Sequence, residues 1–385
     1  MRDLSHNLET SSLLKVNIDD IETRDIKLSE LVESVDEVLL ETKTEALLNS
    51  AANFAVSGNY ILIADYDQYP AKLFSRSGQF IRNLGKIGAG PDEYMSVVSP
   101  YIDETKELFW ILLGGNYANT KDGWFYVYNK NGELVQKINA IKKDENSSNS
   151  NKVLVFDNQI LTPGNAGSLN MLEYKSLSNN TSISITNRIN HDYFTYLTNI
   201  STIYPVNDNF NFKIGEVDTI YSFTPKSGFI KPLATIYSNK HRFDENKIRE
   251  ARKTTGPGRF ENIQNATENC YSIMLLGETN KYYLLSVRIA GTKSTTKLAL
   301  IDKKTGEASF IQITNDFQTG FPIDNIPYFY QNKYVIFHYS AIQYLELIKQ
   351  QQKIITDKND LLSLQMIVDK LKNDDNDILL VCKLK

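Results

Sequence analysis

Short apolar runs, each followed by a polar turn containing glycine and then by a second apolar run, recur along this chain. Leu73 and Phe74 lead through Ser75, Arg76, Ser77, Gly78 and Gln79 into Phe80 and Ile81. Phe125, Tyr126, Val127 and Tyr128 lead through Asn129, Lys130, Asn131, Gly132 and Glu133 into Leu134 and Val135. Leu298 to Ile301 lead through Asp302 to Glu307, with Gly306 in the turn, into Phe310 and Ile311, and a weaker copy joins Ile220–Phe223 to Phe229 and Ile230 through Gly228. Strand, glycine turn and strand is the pattern of an antiparallel hairpin. Its return at intervals of roughly 40–60 residues predicts a radially repeated fold.

Taken in order, the apolar runs predict six groups of strands. The first holds Tyr60–Ala64, Ala71–Ser75 and Gln79–Leu84, after an entry through Leu47–Phe54. The second holds Ser99–Asp103, Leu108–Leu113, Trp124–Tyr128 and Leu134–Ile138. Val153–Phe156, Gln159–Thr162, Met171–Tyr174 and Ser182–Ile189 make the third, and Ser201–Pro205, Asn209–Ile214, Thr219–Phe223 and Phe229–Leu233 the fourth. The fifth contains Ser272–Gly277, Tyr282–Arg288, Lys297–Asp302 and Ala308–Ile313; the sixth begins with Tyr328–Gln331 and Tyr334–Tyr339. Two stretches break the rhythm. Residues 241–253 mix charges at helical spacing and stop at Thr254–Gly258, and residues 341–372 place Ile342, Leu345, Ile348, Leu361, Leu364, Val368 and Leu371 three and four apart. Both predict helical insertions. Ile378–Leu384 then returns as a strand, and Val35–Glu41 is expected beside it. Joining the two ends of the chain removes the free edges of a ring of sheets.

One loop is more specific than the rest. Gly85, Gly88, Gly90 and Pro91 lie in GKIGAGPDEY, which superficially suggests a phosphate cradle, but no helical pattern follows and no Lys-Ser/Thr pair closes it. A tight connection between sheets fits better. This run, with Leu73, Phe74, Gly78, Phe80 and Ile81 before it, resembles the GxGPGEY-type signature of the Bacteroides-type six-bladed β-propeller family, which is related to NHL-repeat propellers. The segments Ile26–Val35 and Asn376–Lys385 resemble that family's first and last strands, so the likeness spans nearly the whole chain. Asp92 stands where a glycine is usual, and Asp377 where a proline often precedes the last strand. The resemblance implies an all-β fold of six four-stranded antiparallel blades, closed by the N- and C-terminal strands. It also implies an exported, often lipid-anchored protein that acts without catalysis.

Composition agrees with many short strands: among 385 residues, 22 Tyr and 18 Phe accompany only 2 Trp. Residues 1–25 are polar and charge-mixed and are expected to form a tether or edge segment, with 26–385 as a single propeller domain. A net charge of -4 leaves no basic footprint for nucleic acid. No apolar run is long enough to span a bilayer, and no signal-peptide h-region follows Met1. Cys270 and Cys382 lack metal spacing or a CxxC pattern; both read as core residues, with a disulfide as the alternative.

The chemistry is less legible. His6, His191, His241 and His338 show neither HExxH nor paired ligand spacing, and no GxSxG elbow is present. No metal or cofactor is therefore expected. Asp65 and Asp67 could meet a cation, but a turn role explains them as well. In a propeller, the loops from second to third strand and those between blades open on one face. That register brings Tyr66, Glu93, Tyr94, Asn116, Tyr117, His191, Arg288, His338 and Tyr339 to a candidate axial rim. Aromatic rings among Asn, Arg and Glu suit a glycan or peptide. The sequence thus points to a binding or scaffolding module for a glycan, peptide or partner protein. The alternative is a propeller lyase, lactonase or glycosidase, and an apolar patch along Leu361–Leu371 would mark a helical docking surface.

Overall fold

The structure, a computed structural model, describes residues 13–48, 51–65, 69–113, 122–142, 153–164, 170–186, 201–215, 217–291, 294–317 and 320–385. The fold is a six-bladed β-propeller of four-stranded antiparallel blades with a few helices. By internal contacts the chain divides into two compact units: Met1–Asp25 with Asp144–Gln312, and Ile26–Lys143 with Ile313–Lys385.

In the second of these units, blade one is Ala51–Val56, Tyr60–Asp65, Ala71–Ser75 and Phe80–Leu84. Blade two is Val97–Asp103, Leu108–Leu113, Asp122–Asn129 and Leu134–Lys142. Blade six combines Tyr328–Tyr330, Tyr334–Tyr339 and Ile378–Leu384 with Val32–Leu39 from the other end of the chain. Cys382 lies opposite Val35, and Ile378 opposite Leu39. The closing strand therefore exists but is set earlier than the expected Val35–Glu41. Val32 still finds a partner in Leu384, while Glu41 has left the sheet and its N–H donates to the Gly78 carbonyl at 2.8 Å.

The second strands explain why so much of the pattern is continuously apolar rather than alternating. Tyr60–Asp65 is buried at every position after the first, because both faces of a blade are covered by its neighbours. Ile61, Leu62 and Ile63 are wholly inaccessible, each stabilising the fold by about 1.5–3 kcal/mol through burial. Between the innermost strands, the Tyr330 hydroxyl accepts the Ile102 N–H at 3.0 Å, so blade six reaches blade two through one buried ring.

The first unit holds blade three (Leu154–Phe156, Gln159–Pro163, Asn170–Ser176, Ser182–Thr186) and blade four (Thr202–Val206, Asn209–Lys213, Thr219–Thr224, Phe229–Tyr237). Blade five is Tyr271–Glu278, Tyr282–Ile289, Thr295–Asp302 and Ala308–Asn315. Besides the short strand Phe321–Ile323, antiparallel to the end of Ala308–Asn315, two further strands lie outside this grammar. Leu14–Asn17 runs parallel to Phe229–Tyr237 as a fifth strand on blade four, and Thr23–Lys27 lies beside Ala308–Asn315 on blade five. Each inserts one aliphatic side chain, Val16 and Ile26, both buried.

The helical insertions are present, and one is larger than its sequence implies. Helix α1 (Glu245–Lys253) starts at Asp244, whose carboxylate accepts the Asn246 and Lys247 N–H groups. It stops at Thr254 as expected, and the chain then turns through Gly256 into a second helix, α2 (Gly258–Ala266). No residue of α2 is buried, so it carries no apolar stripe from which a helix could be read. In blade six, α3 (Ala341–Gln352) and α4 (Lys358–Lys370) fill the connection between the second and third strands. Ser340 and Gln343 form a capping box on α3, and Asp357 caps α4. Both cysteines are buried and neither is in a disulfide; burial pushes the Cys382 thiol up to about 12. No described helix is long and apolar enough to cross a membrane.

A buried charge joins blades four and five. Glu278 accepts from the Tyr204 hydroxyl at 3.0 Å and Asn211 Nδ2 at 2.9 Å, and pairs with Lys303 at 2.7 Å. Removing one partner of such a pair leaves the others desolvated, so Glu278→Ala is expected to cost about 3 kcal/mol, measured as a lowered urea midpoint. Asp19 anchors the N-terminal segment through Ser238 Oγ and the Asn239 and Lys240 N–H groups. Burial opposes its charge, but these hydrogen bonds outweigh burial and hold its carboxyl below the usual range. A depressed folded pKa contributes stability above the unfolded value and loses it as pH falls through the folded value. Asp19→Asn should therefore destabilise at pH 7, and its deficit should shrink below about pH 4, as followed by urea unfolding at both pH values.

Candidate functional site

The glycine loop between blades one and two is built for packing. Gly85 has φ +74°, and a Cβ there would collide with the Tyr94 ring and the Tyr128 hydroxyl. Tyr94 is buried; its hydroxyl donates to the Leu84 carbonyl and accepts the Ala71 N–H at 3.0 Å, and burial raises its pKa. Glu93 folds back to accept the Gly90 N–H at 2.9 Å, and its carboxylate occupies the space that a side chain on Gly88 would need. Lys137 then ties the loop to blade two by donating to the Pro91 carbonyl and pairing with Asp92 at 2.9 Å. The motif thus spends Gly85, Gly88, Gly90, Pro91, Glu93 and Tyr94 on joining two blades.

The chemistry gathers instead where the second strands of blades one and six end and their third strands begin. His338 is the penultimate residue of Tyr334–Tyr339, and Asp377 immediately precedes Ile378–Leu384. His338 Nε2 lies 2.6 Å from Asp377 Oδ2, a hydrogen bond in which the imidazole donates to the carboxylate and its orientation is fixed. The pair is partly open, with side chains 33% and 18% exposed. Phe54 packs against the imidazole with ring centroids 5.5 Å apart, and Asn325 Nδ2 donates to the His338 carbonyl at 2.6 Å. Asn376 secures the neighbouring segment: its Nδ2 donates to the Glu41 and Ala46 carbonyls and its Oδ1 accepts the Leu48 N–H.

On blade one, Lys72 is buried and reaches the Glu45 carbonyl at 3.2 Å and Asn83 Oδ1 at 3.3 Å. Burial drives its pKa down, while the charge of Asp65 pulls in the opposite direction. Asp65 is itself buried, and its charge acts on this lysine. Among the described residues, no group of three or more His, Cys, Asp or Glu side chains has the arrangement of a metal centre.

Of the rim expected from sequence, His338 is partly exposed and hydrogen-bonded to Asp377. Arg288 is exposed at the penultimate position of its second strand in blade five, the place that His338 holds in blade six. Tyr339 is buried, packed 5.5 Å from Tyr344, and burial raises its pKa. It and Tyr94 are packing residues, because their rings fill the blade rather than its rim. Tyr66, Asn116, Tyr117 and His191 lie outside the described residues, as does Asp67. Sequence reasoning missed Lys72, Phe54, Asn325 and Asn376 as neighbours of this end of the sheets. A lysine inside the apolar run of Ala71–Ser75 was the one available signal.

The profile described as Domain of unknown function (DUF4934) matches residues 13–383. This chain belongs to the DUF4934 family. A search of curated proteins finds no relative. Among solved structures, this DUF4934 chain is similar to a protein of Bacteroides fragilis NCTC 9343 inferred to be exported, with 16% identity over 97% of this chain and 100% of that one and a TM-score of 0.67. A structural-genomics protein of unknown function from Bacteroides thetaiotaomicron VPI-5482 has 15% identity over 82% of this chain and 71% of that one, with a TM-score of 0.40. At such identities the first likeness speaks for the fold, and the second adds no weight.

The DUF4934 loop makes a direct test of its structural role. Gly85→Ala combines a left-handed backbone with overpacking and should cost about 2–4 kcal/mol. Gly88→Ala displaces only the Glu93 carboxylate and should cost about 1 kcal/mol. Urea unfolding of both variants checks the order.

Proposed function

We propose that this protein is an extracytoplasmic binding or scaffolding module, whose axial face engages a glycan, a peptide or a partner protein. The observation that carries the reading is the His338–Asp377 pair, a partly open polar couple beside the Phe54 ring at the end of blade six. The buried Phe54 ring backs the imidazole, so the partly open couple presents an oriented hydrogen-bonding group of the kind that polyhydroxylated ligands and peptides engage. The helical pair above it adds apolar contact area: Leu362 and Met366, one turn apart on α4, are 63% and 53% exposed. Export is supported by the likeness to the B. fragilis protein. A lipid anchor, kinship with NHL-repeat propellers, and a tether or edge role for residues 1–25 ahead of a single domain 26–385 belong to the same proposal. Arg288 of blade five belongs to the same proposal.

The same pair favours one rival. An imidazole held by a carboxylate has the geometry of a general base, so a propeller lyase, lactonase or glycosidase is the second reading. A glycan and peptide array separates the two. Binding by the native protein that falls at least tenfold in His338→Ala, without turnover of the bound ligand, supports the module. Turnover of a polysaccharide or sugar lactone that His338→Ala abolishes supports the enzyme, and binding unchanged in that variant removes the site from both.

A further inference from the structure

Each blade has an outermost strand, and an outermost strand exposes a row of unpaired backbone donors and acceptors unless something covers or blunts it. On blades four and five the chain covers that row itself, with Leu14–Asn17 and Thr23–Lys27. Among the described residues, the outermost strands of blades one, two, three and six have no further strand. Three of these are blunted by charge: Arg82 in Phe80–Leu84, Lys137 in Leu134–Lys142, and Glu33, Asp36 and Glu37 in Val32–Leu39. Ser182–Thr186 of blade three, reading SISIT, has neither a charge nor a proline.

We propose that Ser182–Thr186 pairs antiparallel with the same strand of a second copy of this chain, joining two blades into one continuous sheet. The register follows from the hairpin. The Ser176 N–H donates to the Thr181 carbonyl at 2.8 Å, and Tyr174 faces Ile183 while Glu173 faces Ser184. Hydrogen-bonded and non-bonded pairs alternate along an antiparallel ladder, so Ile183 and Ile185 turn their backbone groups inward and Ser182, Ser184 and Thr186 turn theirs outward. Pairing about Ser184 sets Ser184 against its own copy and Ser182 against Thr186. About six ladder hydrogen bonds form, two for each outward-facing pair.

Side chains agree with that register because the strand reads nearly the same in both directions. Ile183 and Ile185, half-buried on one face, meet Ile185 and Ile183 of the second copy and extend one apolar strip. The exposed hydroxyls of Ser182, Ser184 and Thr186 form a row on the other face. Self-pairing of the other three open edges would bring arginines, lysines or carboxylates of like sign together, which destabilises a cross-strand pair. The contact is small, so the dimer is weak, with dissociation in the range of tens to hundreds of micromolar, about the strength of transient encounters.

Sedimentation velocity across about 10 μM to 1 mM tests this. The native protein should rise from one chain toward twice that mass. Ser184→Lys should weaken the dimer at least tenfold while leaving the thermal melt unchanged, because residue 184 is exposed and would meet its own charge. Under mild oxidation S184C should give a covalent dimer, since hydrogen-bonded pairs hold Cα atoms about 5.5 Å apart, within disulfide range. Cys270 and Cys382 are buried and serve as unreactive controls. A chain that stays single throughout, or a dimer that Ser184→Lys does not weaken, overturns the proposal. So does a labelled SISIT peptide that binds while the native protein remains single.

Discussion

Backbone N–H and C=O groups at a sheet edge need partners, and the architecture of this chain is largely the consequence of supplying them. Blade six is the decisive instance. Its third strand, Ile378–Leu384, is fully buried apart from Lys383, and half of its ladder would be unmet without Val32–Leu39. The strand that satisfies it comes from the opposite end of the chain, so the two distant segments complete the last blade together. Cys382 illustrates the result: its thiol sits in a fully covered ladder position, where burial keeps it protonated.

The same economy governs the side chains. Two groups of buried polar side chains are held in small closed sets. Glu278 with Tyr204, Asn211 and Lys303 fixes two blades against each other, and Asn376 uses both amide groups on the connection between blade six and blade one. Against that background the His338–Asp377 couple differs. It is satisfied internally yet partly open, at the foot of a connection that has grown into a pair of helices.

Hairpin turns and buried strands were readable because a blade covered on both faces writes its strands as unbroken apolar runs, as in Tyr60–Asp65 and Leu108–Leu113. The rim was less readable, for a physical reason. Tyr94 and Tyr339 are amphipathic, and sequence position near a strand end does not say whether the ring turns into the blade or out of it. In both cases it turns in, because a neighbouring ring or carbonyl stands there to receive it. Lys72 is the converse case: although charged it is buried, with Asn83 and the Glu45 carbonyl solvating it.

What the amino-acid sequence determined alone was local: where hairpins turn, where glycine is obligatory, and where the rhythm gives way to the helices after Ser340. Period and turn chemistry act between residues close in sequence, so they survive without knowledge of the fold. What only the tertiary structure decided was every pairing across long separations. Asp377 with His338 brackets two helices, Glu278 meets Tyr204 across a blade boundary, and Leu14–Asn17 lies along Phe229–Tyr237. Those partners are chosen by the geometry of stacked sheets, which no local pattern encodes.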